Sequence, residues 1–221
     1  MKETTLSDEA IGELLRPYGV ELTAEQTGKV RLYLSLLMRW NGRINLTGVR
    51  DPRECITRHF GESLMLSRGY ELTGRLLDVG SGAGFPGLAL KIAFPSLKAT
   101  LLEPVAKKRA FLKEVARQCG FEQVDVCPQR FVDFCARSND RFEAITARAV
   151  GKVAALADRS MSILADSGRL YLWLTREQAR TIVGNTRAAR WINELQVPRE
   201  RNRIILVAAN ADVPRETQAG V

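Results

Sequence analysis

The chain has 221 residues, 45% of them hydrophobic and 26% charged, which is enough apolar material for a full globular core. Lysine and arginine outnumber aspartate and glutamate by 33 to 25, so the net charge is +8 and the pI about 9.6, a surface suited to polyanions and to nucleic acid first among them. No stretch approaches the roughly 20 apolar residues that span a bilayer, the opening KETTLSDEAIGELL is polar rather than a secretory signal, and cysteines 55, 119, 127 and 135 form no C-x-x-C pair and have one histidine beside them. These features predict a cytoplasmic protein with reduced thiols, no membrane association and no zinc site.

Along the chain, a Ser-Asp-Glu start predicts a short amphipathic helix over 7–18, with Ile11, Leu14 and Leu15 on one face. Thr23 and Gln26 form a capping box that opens a second helix running toward Asn41. The segment RWNGRINLTGVRDP reads as a structured loop, and Asp51-Pro52 opens a third helix through His59 to about Arg68. Within the loop, Asn41 and Asn45 are turn or cap residues or, because Arg39, Arg43 and Arg50 cluster with them, candidate RNA contacts. Trp40 reads as core. His59, beside Phe60, reads as a packing histidine.

Residues 75–79, RLLDV, read as a buried strand that must end where glycines crowd at 80, 82, 84 and 87; LALKIAF over 88–94 has helical spacing until Pro95. A glycine loop between a strand and a helix is a ligand cradle, because close backbone approach and positive φ angles exclude a Cβ. Its order is D-x-G-x-G-x-G rather than the dinucleotide G-x-G-x-x-G. An acid at Asp78 suits the ammonium and sulfonium of S-adenosylmethionine better than a pyrophosphate, and Glu103, ending the next apolar run KATLLEP, can accept bonds from both ribose hydroxyls. Asp78, Gly80, Gly82, Gly84 and Glu103 are therefore predicted cofactor contacts.

Beyond Glu103, AKKRAFLKEVARQCG predicts a crossover helix ending at Gly120, whose lysines read as a solvated face. A third strand over 124–126 leads to a short helix with Phe131 and Val132. A fourth from 142 leaves Arg148 just past its end, where a cation faces substrate or a cofactor carboxylate, and is followed by a helix from about 152 to 164. Strand five from 168, a helix over 177–188 and a closing hairpin of WINELQV and RIILVAAN complete an α/β fold: a seven-stranded, mostly parallel, Rossmann-like sheet with one reversed edge. The expected division is an N-terminal helical cap over 1–70, a core over 71–210 and a flexible tail over 211–221.

The segments WNGRINLT (40–47), RHFGESL (58–64), LLDVGSGAGFPGLALKIAFP (76–95), KKRAFLKEV (107–115) and ARAV (147–150) together resemble the ribosomal RNA small subunit methyltransferase G family over nearly the whole length. The resemblance implies a class I methyltransferase fold and transfer of a methyl group from S-adenosylmethionine to N7 of a guanine in 16S rRNA. The implied partner is that RNA or the small ribosomal subunit, with the enzyme as a monomer. It implies cofactor contacts from Gly80, Phe85, Glu103, Phe131, Val132 and Arg148. Guanine N7 carries a lone pair and no proton, so no general base is needed, and catalytic candidates reduce to Arg148, His59 and Glu62. The chain departs from the family in three places. Glu62 stands where His-x-x-Asp-Ser has its acid, Val132 stands where an acid is usual, and LWLTRE replaces a Lys-Gly after strand five, so that either its role toward RNA passes to Arg176, or that lysine is not essential to transfer, or this member has a weaker or different activity. A basic RNA-binding protein on the same fold without transfer, and a small-molecule methyltransferase, are the alternatives.

Overall fold

The computed structural model describes residues 6–211, so all of the expected tail beyond 211 lies outside the described residues. An N-terminal helical layer comes first. Helix α1 (Asp8–Leu15) starts at Ser7, whose hydroxyl caps Ala10 N–H, and α2 (Ala24–Ile44) starts at the predicted Thr23–Gln26 capping box. Helix α2 runs one turn further than its sequence suggests and closes at Asn45 in the left-handed conformation that asparagine tolerates. A helical rod over 52–68 follows, made of α3 (Pro52–Cys55), a π-helical turn (Ile56–Gly61), α4 (Glu62–Leu64) and a 3-10 turn (Met65–Arg68).

The remaining elements are β1 (Arg75–Val79), α5 (Gly87–Ala93), β2 (Lys98–Leu102), α6 (Ala106–Gln118), β3 (Val124–Cys127), α7 (Phe131–Arg137), β4 (Phe142–Arg148), α8 (Val153–Met161), β5 (Leu164–Thr175), α9 (Arg176–Val183), β6 (Ala189–Gln196) and β7 (Arg203–Asn210). The sheet order is β3-β2-β1-β4-β5-β7-β6. The first five of these strands run parallel, and β7 is antiparallel to both β5 and β6. The reversed strand is thus not the edge, as the hairpin pattern suggests, but lies one place in from it. A buried row Ile204 to Ala209 explains this, because a strand apolar on both faces must be covered on both sides.

Two other boundaries move. The helix after β4 stops at Met161, because Ile163 and Leu164 are buried and enter β5 early, pairing across a bulge at Phe142/Ala144. At that bulge Gly168 leaves no room for a side chain: a Cβ would stand 2.7 Å from the Phe142 carbonyl oxygen. Helix α9 ends at Val183 rather than 188, since Asn185 and Thr186 turn their side chains back onto the carbonyls of Thr181 and Ile182.

Alternation along the strands sorts the core into two faces. Leu76, Leu101, Ala144, Tyr171, Trp173 and Ile205 face the N-terminal helices with α5 and α6, whereas Leu77, Leu102, Ile145, Leu172 and Leu206 face α7, α8 and α9. Residues 6–68 therefore form one layer of a shared core. Its deepest anchor is Tyr33 on α2, fully buried, whose hydroxyl donates to the Ala83 carbonyl in the glycine loop at 2.5 Å. Gly84 has φ +86°, and a Cβ there would collide with that hydroxyl and press on Leu88 and Leu112.

Gly84→Ala combines a left-handed alanine with overpacking and is expected to lower stability by about 2–4 kcal/mol. Urea titration measures this. A loss under about 1 kcal/mol would show that the loop repacks without Tyr33.

Candidate active site

The loop after β1 is stitched to the end of β2. The N–H groups of Gly80 and Ser81 both reach the Leu102 carbonyl, at 2.9 and 3.0 Å, and Gly84 N–H closes onto Ser81. Glycines 80, 82 and 84 all have positive φ, but only Gly82 faces open space: a Cβ added there would meet nothing closer than the Gly80 carbonyl oxygen at 3.8 Å. Glu103, buried at the end of β2, accepts from Gly82 N–H through Oε2 at 2.9 Å and from Val105 N–H through Oε1 at 2.8 Å. Each carboxylate oxygen keeps a second lone pair for another donor.

Asp78 is enclosed beneath this loop. Thr146 donates to its Oδ1 at 2.8 Å, its Oδ2 has no hydrogen-bond partner, and a side chain on Gly87 would strike it at 2.7 Å. Burial raises the Asp78 carboxyl above the usual range, and the Thr146 bond opposes the rise. Asp78 thus lies under the loop and is not open to a ligand above it. Phe131 and Val132 open α7 at the end of β3; Val132 is 54% exposed, and Val105 at the end of β2 is similarly exposed. Two apolar side chains thus flank the carboxylate edge of the cradle.

Phe85 connects the loop to the rod. Its ring lies between Tyr33 (5.1 Å, 7° between planes) and His59 (4.9 Å, 25°), with Phe60 edge-on and the Arg148 guanidinium carbon 5.5 Å from its centroid. Arg148 donates to the Arg58 carbonyl at 2.9 Å and to His59 Nδ1 at 3.0 Å. Because an arginine can only donate, Nδ1 is the acceptor, and Nε2–H must then donate to Thr47 Oγ1 at 2.8 Å. Both ring nitrogens are committed. Burial, with Arg148 and Arg58 nearby, pushes the His59 pKa down to about 3.

Beside this cluster, a cleft of about 350 Å³ lies between the rod and the ends of β4 and β5. Glu62, Arg58, Arg148 and Arg203 line it over an apolar floor that includes Trp173 and Ile204. Glu62 accepts from Arg203 Nη1 at 2.6 Å and stands 3.8 Å from Arg148, while Trp173 holds the Glu62 backbone carbonyl. Burial pushes the Glu62 carboxyl up, and the arginines oppose the rise.

The RNA candidates divide. Arg39, Arg43 and Asn45 are exposed at the end of α2. Asn41 is buried, giving its amide to Val49 O and taking Thr47 N–H, so it shapes the loop that carries Thr47 to His59. Arg176 points across the β6–β7 hairpin to Glu194 and Gln196 and away from the cleft. Trp40 packs on Phe111 at 5.7 Å, as a core residue.

A family model for rRNA small subunit methyltransferase G matches residues 26–199. The chain belongs to that family. The ribosomal RNA small subunit methyltransferase G of Xylella fastidiosa (strain M23) is 40% identical over 176 residues, covering 77% of this chain and 79% of its own; that of Chloroflexus aggregans is 36% identical over 180 residues, covering 80% and 75%. Among solved structures, the ribosomal protein L11 methylase of Lactobacillus delbrueckii subsp. bulgaricus superposes with a TM-score of 0.54 at 15% identity, over 68% of this chain and 79% of that one. The fibrillarin/Nop5p complex gives 0.53 at 14%, over 66% and 78%. These two likenesses establish the class I methyltransferase fold.

For this family member, the stretch LWLTRE that closes β5 meets β7 across the sheet. Thr175 ends β5, its cross-strand partner is Arg203 on β7, and Arg203 rather than Arg176 reaches the cleft. Arg58, Arg203, Tyr33, Thr146 and Val105 are among the residues of this region that sequence reasoning missed. Only Val105, next to Glu103, and Arg58, next to His59, carried a local signal.

The sign of the His59 shift fixes a pH effect. Unfolded histidine takes a proton below about pH 6.5, while folded His59 resists protonation down to about 3, so the unfolded chain binds more protons between these values and stability falls as pH drops through that window. Thermal midpoints measured from pH 7.5 to 4 are expected to decline below about 6.5, and less steeply in His59→Gln. Equal slopes would mean that His59 is protonated in the folded protein.

Proposed function

We propose that the chain transfers the methyl group of S-adenosylmethionine to N7 of a guanine in 16S rRNA. Membership of the rRNA small subunit methyltransferase G family makes it an rRNA methyltransferase, and such an enzyme requires a methyl donor. One observation carries the choice of donor: Glu103 grips the backbone of the glycine loop beside Gly82, the one loop glycine with open space above it. A carboxylate with a free lone pair on each oxygen fits a ribose diol, the open backbone fits a closely approaching ligand, and Val105 and Val132 offer apolar contact to an adenine. S-adenosylmethionine, when bound, supplies an electrophilic methyl on sulfur.

The protein's own groups match a reaction without proton transfer. His59 is neutral with both nitrogens bonded, so it serves as scaffold and not as base. Burial pushes the thiols of Cys55 and Cys119 up to about 12, which removes them as nucleophiles. What remains is positioning, worth up to roughly 7–11 kcal/mol when reacting groups are held in line.

Calorimetric titration with S-adenosylmethionine is expected to give saturable binding, weakened about 10- to 100-fold in Glu103→Ala, the range for losing bonds to a charged group. Labelled methyl should enter 16S rRNA of small subunits from a strain lacking the modification and appear as N7-methylguanine. Absence of heat at millimolar donor refutes the cofactor assignment. Binding of RNA with a steep salt dependence but without incorporation selects an RNA-binding protein.

A further inference from the structure

We infer that the cleft between the rod and the ends of β4 and β5 seats the target nucleotide of the RNA strand, with Arg203 and Arg58, not Arg148, meeting its phosphate. This rests on the RNA-methylating reading above. The cleft opens at the carboxyl ends of parallel strands, where α/β sheets bind ligands, and its 350 Å³ suits one small ligand rather than a duplex.

Charge decides the class of ligand. Three guanidinium groups, Arg58, Arg148 and Arg203, line the cleft against a single lining carboxylate, Glu62, and His59 adds no positive charge because it is neutral. Glu54, outside the lining, pairs with Arg58, so the three guanidinium groups exceed their two carboxylate partners by one, and an anion is the ligand that balances this set. Arg148 is already committed to the Arg58 carbonyl, His59 and the face of Phe85, so it frames the cleft.

The other two guanidinium groups have capacity to spare. Arg203 is bonded to Glu62 through Nη1, its side chain is 32% exposed, and a guanidinium carries five N–H donors, more than that bond uses. Arg58 meets Glu54 through Nη1 at 2.7 Å, while its buried Nε has no hydrogen-bond partner. The Arg58 side chain is 37% exposed, and its guanidinium carries more N–H donors than the Glu54 bond uses, so it can also meet a phosphate oxygen. Trp173, Leu174, Val197 and Ile204 give the sugar or base an apolar surface. The rim is held taut: Ala149, which lines the cleft, and Lys152 adopt left-handed φ angles of 55° and 54° that non-glycine residues avoid. Glu62 has a resting role, since it keeps Arg203 over the cleft until an anion able to engage the guanidinium fork competes for it.

The test is methyl transfer to small subunits by Arg203→Gln and Arg203→Lys across a series of KCl concentrations, with donor affinity measured in parallel. Arg203→Gln is expected to lower kcat/KM about 10- to 100-fold, mainly through KM for the subunit. The log–log salt slope should become shallower by about 0.7–0.9, the loss of one phosphate contact, with donor affinity within about twofold of wild type. Arg203→Lys should restore part of the activity, as a point charge without the fork. Because Arg203→Gln strands a buried carboxylate, Glu62→Gln/Arg203→Gln removes both charges and is expected to keep the deficit. Wild-type kcat/KM and salt slope in Arg203→Gln, or full activity in the double variant, would overturn the inference while wild-type methylation leaves the enzymatic reading standing. A wild type that neither binds donor nor transfers methyl would instead overturn the reading beneath it.

Discussion

The ring of Phe85 is the point on which the rest of the site depends. It belongs to the glycine loop, yet both of its faces are covered from the N-terminal layer, by Tyr33 of α2 and His59 of the rod. Each aromatic pair adds about 0.5–1.5 kcal/mol beyond area burial. The stack is also geometric: Tyr33 sets the loop through Ala83, and His59 sets Arg148, so one set of parallel rings aligns the donor cradle with the neighbouring cleft. The N-terminal helices are thus structural members of the methyltransferase core.

That arrangement explains why the histidine between the glycine loop and the cleft stays neutral. His59 lies in a π-helical turn, a local widening of the helix that recurs at functional sites, and it exchanges hydrogen bonds with Thr47 and Arg148. Placing two arginines near an imidazole keeps it neutral and keeps its tautomer fixed. Two groups of basic residues bear on RNA. One, including Arg39 and Arg43, is exposed on α2 and suits a diffuse phosphate backbone; the other converges on a single cleft.

Much of this was legible in the chain because it is local. The glycine spacing, the acid ending β2 and the capping box of α2 each depend on residues a few positions apart, and each occurs where expected. Asn41 shows the limit of composition: clustered with arginines it reads as an RNA contact, but the left-handed turn at Asn45 folds the loop over it and buries its amide. Tyr33 was hidden because nothing in α2 distinguishes a tyrosine that packs from one that also holds a carbonyl fifty residues away. Arg203 was hidden for a similar reason. Its partner Glu62 is 141 positions distant, and the pairing exists only because β7 inserts between β5 and β6.

The insertion of β7 also orders events during synthesis. As the ribosome releases the chain from its N-terminus, the donor cradle and its aromatic stack are complete once β4 has emerged, but β5 still has an unpaired side and Glu62 lacks its arginine. Only residues 203–210 close the sheet interior. A nascent chain thus carries the residues of the glycine loop and its aromatic stack before those that frame the cleft, and translation must pass β7 before both exist in one molecule.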